Sequence, residues 1–300
     1  MSGAANQSYA KGITFVLLAT LGWSLSGLFV RLMPELSGWQ LNTWRGYWTA
    51  VSIFIYLILV YGRDTMDVFR RVPLAALAFS AGFFAFGSTM YVTSLTLVST
   101  AVISVIGASS PLFTGVLSPW VTGERPGIAA WIAALMAIGG VGIIANDELE
   151  VGNAIGMLVC LLVPLSFAAQ TLVLRRYRSI DMIPAIAVGG LLSFVCAGMI
   201  GFLFHPGGGY AVELRHVAML ALMGLVQLAI PLIWYAKGAK SVPAITLSLV
   251  VMLDAVLNPF WPWLVVGETP EAAAFWGGGV IISAVLISIF GERWMKTAMR

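Results

Sequence analysis

Ten apolar runs of about twenty residues follow one another along the chain, and only a few residues separate each run from the next. In lipid the backbone hydrogen bonds of each run must be satisfied internally, and a helix of about 20 residues does this while crossing a bilayer. Of the 300 residues, 60% are hydrophobic and only 10% are charged, whereas a soluble domain carries about 25% charged residues. We therefore predict an all-α membrane protein with ten transmembrane helices, here numbered spans 1 to 10. They lie at about 11–32, 40–61, 73–96, 100–121, 127–145, 152–174, 183–203, 214–236, 243–266 and 273–291.

The lysines and arginines collect on one side of this predicted topology. With a cytoplasmic N-terminus, the inner side holds Lys11, Arg63, Arg70, Arg71, Arg125, Arg175, Arg176, Arg178, Lys237, Lys240, Arg293, Lys296 and Arg300. Only Arg31 and Arg215 fall outside, and Arg45 lies within span 2. Because basic residues favour cytoplasmic loops, we predict that the N- and C-termini are both cytoplasmic.

The second half of the chain repeats the first without a gap. Leu97 to Glu124 and Val242 to Glu268 are both apolar and both close on Gly-Glu-x-Pro, at an offset of 144 residues (267 − 123). The same offset pairs Tyr91 with Tyr235 and Arg31 with Arg175. The short acidic link at 146–150 separates the predicted repeats, 11–145 and 152–291. Since each repeat holds five spans, the second is predicted to be inverted relative to the first, an arrangement that recurs in secondary transporters.

Two sets of five spans, each with Gly-Glu-x-Pro between its fourth and fifth span, resemble the drug/metabolite transporter superfamily, EamA type. Within that superfamily the chain is most similar to the YddG-type exporters of aromatic and other neutral amino acids. The resemblance implies an export carrier of the bacterial inner membrane that works by alternating access. It also implies a central cavity built mainly by spans 1, 3, 4, 6, 8 and 9, without assigning any binding residue.

Asp254 is the one acidic residue well inside a span, and Asn258 follows it on the same helical face. An acid within a membrane segment usually faces protein or a water-filled cavity. One interpretation makes Asp254 a proton-coupling site or a site for a substrate amine. The other makes it a structural acid that bonds Asn258, a neighbouring hydroxyl or a lysine.

Rings, hydroxyls and amides in the middle or inner half of the spans suit a pocket for a small amphipathic molecule. For each of them, plain helix packing is the competing interpretation. The predicted substrate pocket consists of Trp23, Ser24, Phe86, Met90, Tyr91, Ser110, Phe167, Gln170, Gln227, Trp234, Asp254 and Asn258. For Arg45, snorkelling or a helix-to-helix ion pair competes with attraction of a substrate carboxylate.

Other classes of function lack a signature in the sequence. We expect no enzyme, cofactor, metal site or nucleic-acid partner, and the chain has no ATP-binding P-loop. Small residues four positions apart in spans 5 and 10 predict that these spans pack together as a pillar, with a dimer face as the alternative. We therefore expect a monomer that exports small amphipathic metabolites, above all aromatic or neutral amino acids. The alternative cargo is another metabolite or a lipophilic drug, coupled to protons.

Overall fold

The computed structural model of the protein describes residues 2–98, 100–145, 154–204, 210–267 and 272–298, and this part of the chain is helical with no strand. The acidic link at 146–150 and the second motif from Glu268 to Pro270 lie outside the described residues. In the first half the helices are α1 (Ser2–Trp23), α2 (Ser26–Leu32), α3 (Gly38–Tyr61), α4 (Thr65–Arg71), α5 (Leu74–Leu95), α6 (Thr100–Gly107), α7 (Ser110–Val121) and α8 (Ile128–Ala145). In the second half they are α9 (Ala154–Arg176), α10 (Ile183–Phe204), α11 (Leu214–Leu222), α12 (Ile230–Gly238), α13 (Ala244–Val251), α14 (Asp254–Leu257), α15 (Phe260–Val266) and α16 (Ala272–Ala298).

Eight helical segments of the described chain are long and apolar enough to cross a membrane. They correspond to predicted spans 1, 2, 3, 4, 6, 7, 8 and 10. The two remaining predictions, spans 5 and 9, coincide with shorter apolar helices at Ile128–Ile144 and Ala244–Leu257. The sequence prediction of a multi-pass helical protein is therefore confirmed.

Predicted spans 2 and 7, formed by α3 and α10, pack closely because glycines let their backbones approach. A Cβ on Gly46 would lie 2.8 Å from the Gly190 carbonyl oxygen, and one on Gly190 would lie 2.9 Å from the Gly46 carbonyl oxygen. The Trp44 and Phe194 rings meet near one end of this pair. At the other end the Tyr61 hydroxyl donates to Asp181, just before α10, at 2.7 Å. The two helices are therefore antiparallel.

The alanine and glycine faces of α8 and α16 pack together, as their small-residue pattern predicts. A Cβ on Gly140 would lie 2.8 Å from the Gly277 carbonyl oxygen and 2.7 Å from the Ile281 side chain. Ala133, Ala137 and Ala284 are fully buried in the same region. This pair forms a tight pillar within the bundle.

The buried core is concentrated at one end of the bundle, here called the N-terminal end. This end holds the first turns of α1, the last turns of α3, α9 and α12, and the start of α13. The largest cluster of buried apolar residues includes Ile13, Leu57, Leu174, Ala239 and Val242, so it joins both halves of the chain. At the opposite, distal end two smaller clusters are separate. One surrounds Phe29, Met33, Leu41, Leu220 and Met223, and the other surrounds Trp39, Val92 and Ala197.

Candidate functional site

Four predicted spans lose regular α-helical structure partway along their length. Span 1 is interrupted between α1 and α2, span 4 at 108–109, and span 9 at 252–253 and 258–259. In span 8 a π-helical segment, Met223–Ala229, joins α11 to α12. Irregular backbone at membrane depth is tolerated where it is buried in protein or lines a water-filled cavity. The interruptions in spans 4 and 9 fall at equivalent positions of the repeats, and the helices resume at Ser110 and Asp254 respectively.

A cluster of three rings joins spans 1, 6 and 8. The Trp23 ring lies 6.2 Å from Phe167 and 5.1 Å from Tyr235, and the Phe167 and Tyr235 rings are 5.8 Å apart. Trp23 and Phe167 occupy equivalent positions in the two repeats, 144 residues apart. Tyr235 is buried and shares a 2.8 Å hydrogen bond with Thr171. The structure thus brings together two of the predicted pocket residues and adds Tyr235, which the repeat had already paired with Tyr91.

Polar contacts hold the interrupted part of span 1 against span 9. The Trp261 indole donates to the Ser24 hydroxyl at 2.7 Å. The Asn258 side chain accepts from the Gly27 backbone N–H at 3.2 Å and donates to the Ser26 hydroxyl at 3.3 Å. Ser24 and Asn258 were predicted from the sequence, whereas Trp261 was missed because a tryptophan near a span end resembles an interfacial anchor.

Asp254 lies at the first residue of α14, directly after the interruption of span 9. Protein encloses the residue, yet its side chain is partly exposed. Its Oδ1 atom is buried without a hydrogen-bond partner among the described residues. The Asn258 side chain instead forms hydrogen bonds with Gly27 and Ser26 of span 1. The interpretation of Asp254 as an acid bonded to Asn258 therefore receives no support from the geometry.

Tyr91 is a partly exposed residue near the distal end of α5. Of its surface 38% is exposed, and Ser88, three residues earlier on the same helix, accepts a hydrogen bond from Arg45. The preceding Met90 is half-buried.

The remaining predicted residues have different surroundings from one another. Gln170 donates to the Ser80 hydroxyl at 3.0 Å, and Gln227 donates to the Trp23 carbonyl oxygen at 3.4 Å. The Oε1 atoms of both glutamines and the Ser110 hydroxyl are buried without a partner in the described part of the chain. Phe86 is 44% exposed, and Trp234 packs against the large core cluster.

Arg45 is half-buried, seven residues after the start of α3. Its Nη2 atom donates to the Asn42 side-chain oxygen at 3.0 Å and to the Ser88 hydroxyl at 3.5 Å. Its Nε–H is buried without an acceptor among the described residues. No carboxylate of the described chain lies within 4 Å of this guanidinium, so the helix-to-helix ion pair considered from the sequence is not formed there.

A second polar junction lies at the N-terminal end, on the first Gly-Glu-x-Pro motif. One oxygen of Glu124 accepts from Arg175 Nε at 2.5 Å, and the other accepts from the Ala244 backbone N–H at 2.9 Å. Arg175 Nη1 donates to the carbonyl oxygens of Ala239 and Lys240 at 3.0 and 2.9 Å. This carboxylate therefore connects the loop after α7 to the ends of α9 and α12 and to the start of α13. The sequence identified the motif but gave no indication of these partners.

Comparison with known families adds an independent finding. The model of the EamA-like transporter family matches residues 10–146 and again residues 154–290. The two matches cover nearly all of the chain. They are displaced from each other by the same 144 residues that relate the Gly-Glu-x-Pro motifs (154 − 10).

Individual relatives are distant. The chain is 22% identical over 293 residues to an S-adenosylmethionine uptake transporter of Rickettsia bellii (strain RML369-C), covering 96% of this chain and 97% of the relative. It is 25% identical over 242 residues to the uncharacterized transporter YdfC of Bacillus subtilis (strain 168), covering 78% and 76%. A solved crystal structure matches the fold with a TM-score of 0.80 at 17% identity, covering 94% of this chain and 97% of that one.

Proposed function

We propose that this chain, which belongs to the EamA-like transporter family, is a carrier that moves small amphipathic metabolites by alternating access. The observation that carries the proposal is the loss of regular helical structure in spans 1, 4, 8 and 9, in the same bundle in which Tyr91 is 38% exposed. Broken helices near the bilayer midplane are where transporters of inverted-repeat architecture hold their substrates.

The architecture in this proposal is ten helices in two inverted repeats, 11–145 and 152–291, with both termini in the cytoplasm. The antiparallel packing of the equivalent helices α3 and α10 supports the inversion. The apolar helices at predicted spans 5 and 9 support the count of ten. The large core cluster at the N-terminal end, together with the accessible Tyr91 nearer the distal end, supports a conformation that is closed at the N-terminal end.

The proposed cargo is an aromatic or neutral amino acid. In this proposal the pocket combines the rings of Trp23 and Phe167, which provide apolar area and can hold an ammonium group, with polar atoms of Gln170, Gln227 and Asp254 that have no partner among the described residues. A cargo with an apolar body and a charged head matches that combination. We propose export across the bacterial inner membrane, by a monomer that uses no cofactor. The bias of basic residues towards the N-terminal side supports this orientation.

A second candidate cargo is S-adenosylmethionine, because a relative that aligns over nearly the whole chain is named as its uptake transporter. This molecule carries an amino-acid head, a sulfonium cation and an adenine ring. Asp254 and the ring cluster offer an anion and stacking surfaces for the last two groups. A proton-coupled exporter of cationic drugs would use the same enclosed carboxylate.

The test is uptake of labelled phenylalanine, tryptophan, threonine and methionine into proteoliposomes, with and without a pH gradient, against protein-free vesicles. We expect saturable uptake that unlabelled amino acid inhibits. Unlabelled S-adenosylmethionine and a lipophilic amine serve as the other competitors. If S-adenosylmethionine inhibits the uptake and unlabelled amino acids do not, the second candidate replaces the amino-acid assignment. No uptake above that of protein-free vesicles would refute the amino-acid cargo.

A further inference from the structure

The guanidinium of Arg45 lacks the partner that an enclosed cation ordinarily has. Its contacts are the neutral oxygens of Asn42 and Ser88, and those two side chains are themselves joined by a 2.6 Å hydrogen bond. The Nε–H has no acceptor, and Nη1 makes no hydrogen bond in the part of the chain that the structure describes. A cation within a bilayer is costly unless it is paired. This guanidinium is therefore suited to bind an anionic ligand.

The depth of Arg45 excludes simple snorkelling to the membrane surface. Arg45 is seven residues from the start of α3, and Ser88 is seven residues from the end of α5. At 1.5 Å per residue both lie about 10 Å from the distal ends of their helices. The Arg45 side chain points towards Ser88 across the helix interface rather than along α3 to the distal end. It is thus held inside the bundle.

The partly exposed Tyr91 lies on the helix that Arg45 contacts. Tyr91 is three residues after Ser88 and therefore lies on the same side of α5. Because Arg45 donates to Ser88, the Tyr91 side chain, which is 38% exposed, lies on the side of α5 that faces Arg45. Arg45 and Asp254 make no ion pair with each other in the described structure. The guanidinium of Arg45, which has no carboxylate partner among the described residues, and the partly exposed Tyr91 side chain thus lie on the same side of α5.

We propose that Arg45 binds the carboxylate of the cargo beside Tyr91. The inference rests on the proposed amino-acid cargo and assigns its recognition to a residue outside the predicted pocket. A guanidinium is suited to this task because its planar fork matches the two oxygens of a carboxylate. Asn42 and Ser88 are positioning residues, since they fix one nitrogen of Arg45 and leave the others for the ligand.

The experiment measures equilibrium binding of three ligands to the purified full-length protein. They are phenylalanine, phenethylamine, which lacks the carboxylate, and 3-phenylpropanoate, which lacks the amine. We expect the unaltered protein to bind phenylalanine at least about tenfold more tightly than phenethylamine, as loss of a charge-assisted hydrogen-bond pair predicts. In Arg45→Gln the affinity for phenylalanine should fall about tenfold or more, while the affinity for phenethylamine stays unchanged. The ratio of the phenylalanine affinity to the phenethylamine affinity should therefore approach one.

Arg70→Gln is the matched control, because Arg70 is an exposed arginine paired with Asp67. It should leave all three affinities unchanged. Arg45→Lys retains the charge without the fork, so a loss of several-fold for phenylalanine alone is expected. This variant carries the test if Arg45→Gln does not fold. Equal losses for phenylalanine and phenethylamine in either Arg45 variant would overturn the assignment, as would equal affinities in the unaltered protein. Failure of the unaltered protein to bind or transport any amino acid would instead refute the proposed cargo, and this inference with it.

Discussion

Glu124 connects four helix ends at the N-terminal end of the bundle, so its replacement by glutamine perturbs a single junction with little change in shape. The residue follows Gly123, whose φ of 74° is readily adopted only by glycine. Its two oxygens accept from Arg175 and from the backbone N–H of Ala244. A glutamine side chain keeps one oxygen that can accept one of these hydrogen bonds. Its NH₂ group would face the other donor, either Arg175 or the Ala244 N–H, and cannot accept from it.

The stability lost in Glu124→Gln depends on how far Glu124 and Arg175 are buried. Removing one partner of a buried ion pair costs about 3–5 kcal/mol. Arg175 is 7% exposed, but Glu124 is 24% exposed, so water compensates part of the loss. We expect Glu124→Gln to lower the free energy of unfolding by about 2 kcal/mol, equivalent to a fall in melting temperature of about 4–8 °C. If the junction forms only when the N-terminal end is closed, the same loss shifts the conformational equilibrium about 30-fold towards opening.

Two measurements separate these effects. Thermal unfolding in detergent reports stability, with Asp67→Asn as the matched control. The Asp67–Arg70 pair is exposed on both sides, and such a pair contributes at most about 0.5 kcal/mol. Opening is followed with Ser248→Cys in a background that lacks Cys160 and Cys196. The Ser248 hydroxyl is fully buried, 2.8 Å from that of Thr114 on the facing helix, so a thiol there reacts only after spans 4 and 9 separate.

The expected result is faster thiol labelling together with a lower melting temperature in Glu124→Gln. If Glu124→Gln has the same melting temperature as Asp67→Asn, and its thiol is labelled at the same rate as in the protein that retains Glu124, the role of this junction is refuted. A lower melting temperature without faster labelling would retain a contribution to stability but contradict the proposed coupling to opening.

Two further predictions concern the site and the packing. Asp254→Asn should abolish stimulation of uptake by a pH gradient while leaving phenylalanine binding within about threefold, whereas loss of folded protein on purification would favour the structural interpretation. Gly46→Ala should lower the free energy of unfolding by about 1–3 kcal/mol, because its Cβ would approach the Gly190 carbonyl oxygen to 2.8 Å. The same change at Gly82, where a Cβ meets nothing within 4 Å, should be neutral or slightly stabilising, and equal melting temperatures for the two variants would contradict this packing argument.

The fold was predictable because hydrophobic length and internal repetition are properties of the linear sequence. A run of about twenty apolar residues has few alternatives to a helix in lipid. Small residues at fixed spacing likewise predicted the contact between α8 and α16, since close approach depends on side-chain size alone.

The candidate site was only partly predictable, since it depends on where the helices are interrupted and on which side chains meet. The interruption at 252–253 falls on Met252 and Leu253, which carry no turn signal, so no local rule identifies it. Asp254 was conspicuous as an acid in an apolar run. Arg45 was ambiguous, because its lack of a carboxylate partner is a property of the packed helices and not of span 2.

Tyr91 and Tyr235 show how one sequence position can have two environments in the same structure. They are equivalent in the two repeats, yet Tyr235 is 1% exposed within the large core cluster whereas Tyr91 is 38% exposed. Their local sequences do not account for this difference, since both are tyrosines on helices in the same register. The difference lies in the helices around them, which are sealed at the N-terminal end and less closely packed around Tyr91. In the proposed cycle the two repeats exchange conformations, so closing the distal end would give Tyr91 the buried environment that Tyr235 has now and expose Tyr235 in turn. The asymmetry between two equivalent tyrosines is thus what the proposed alternating-access cycle predicts for one of its two conformations.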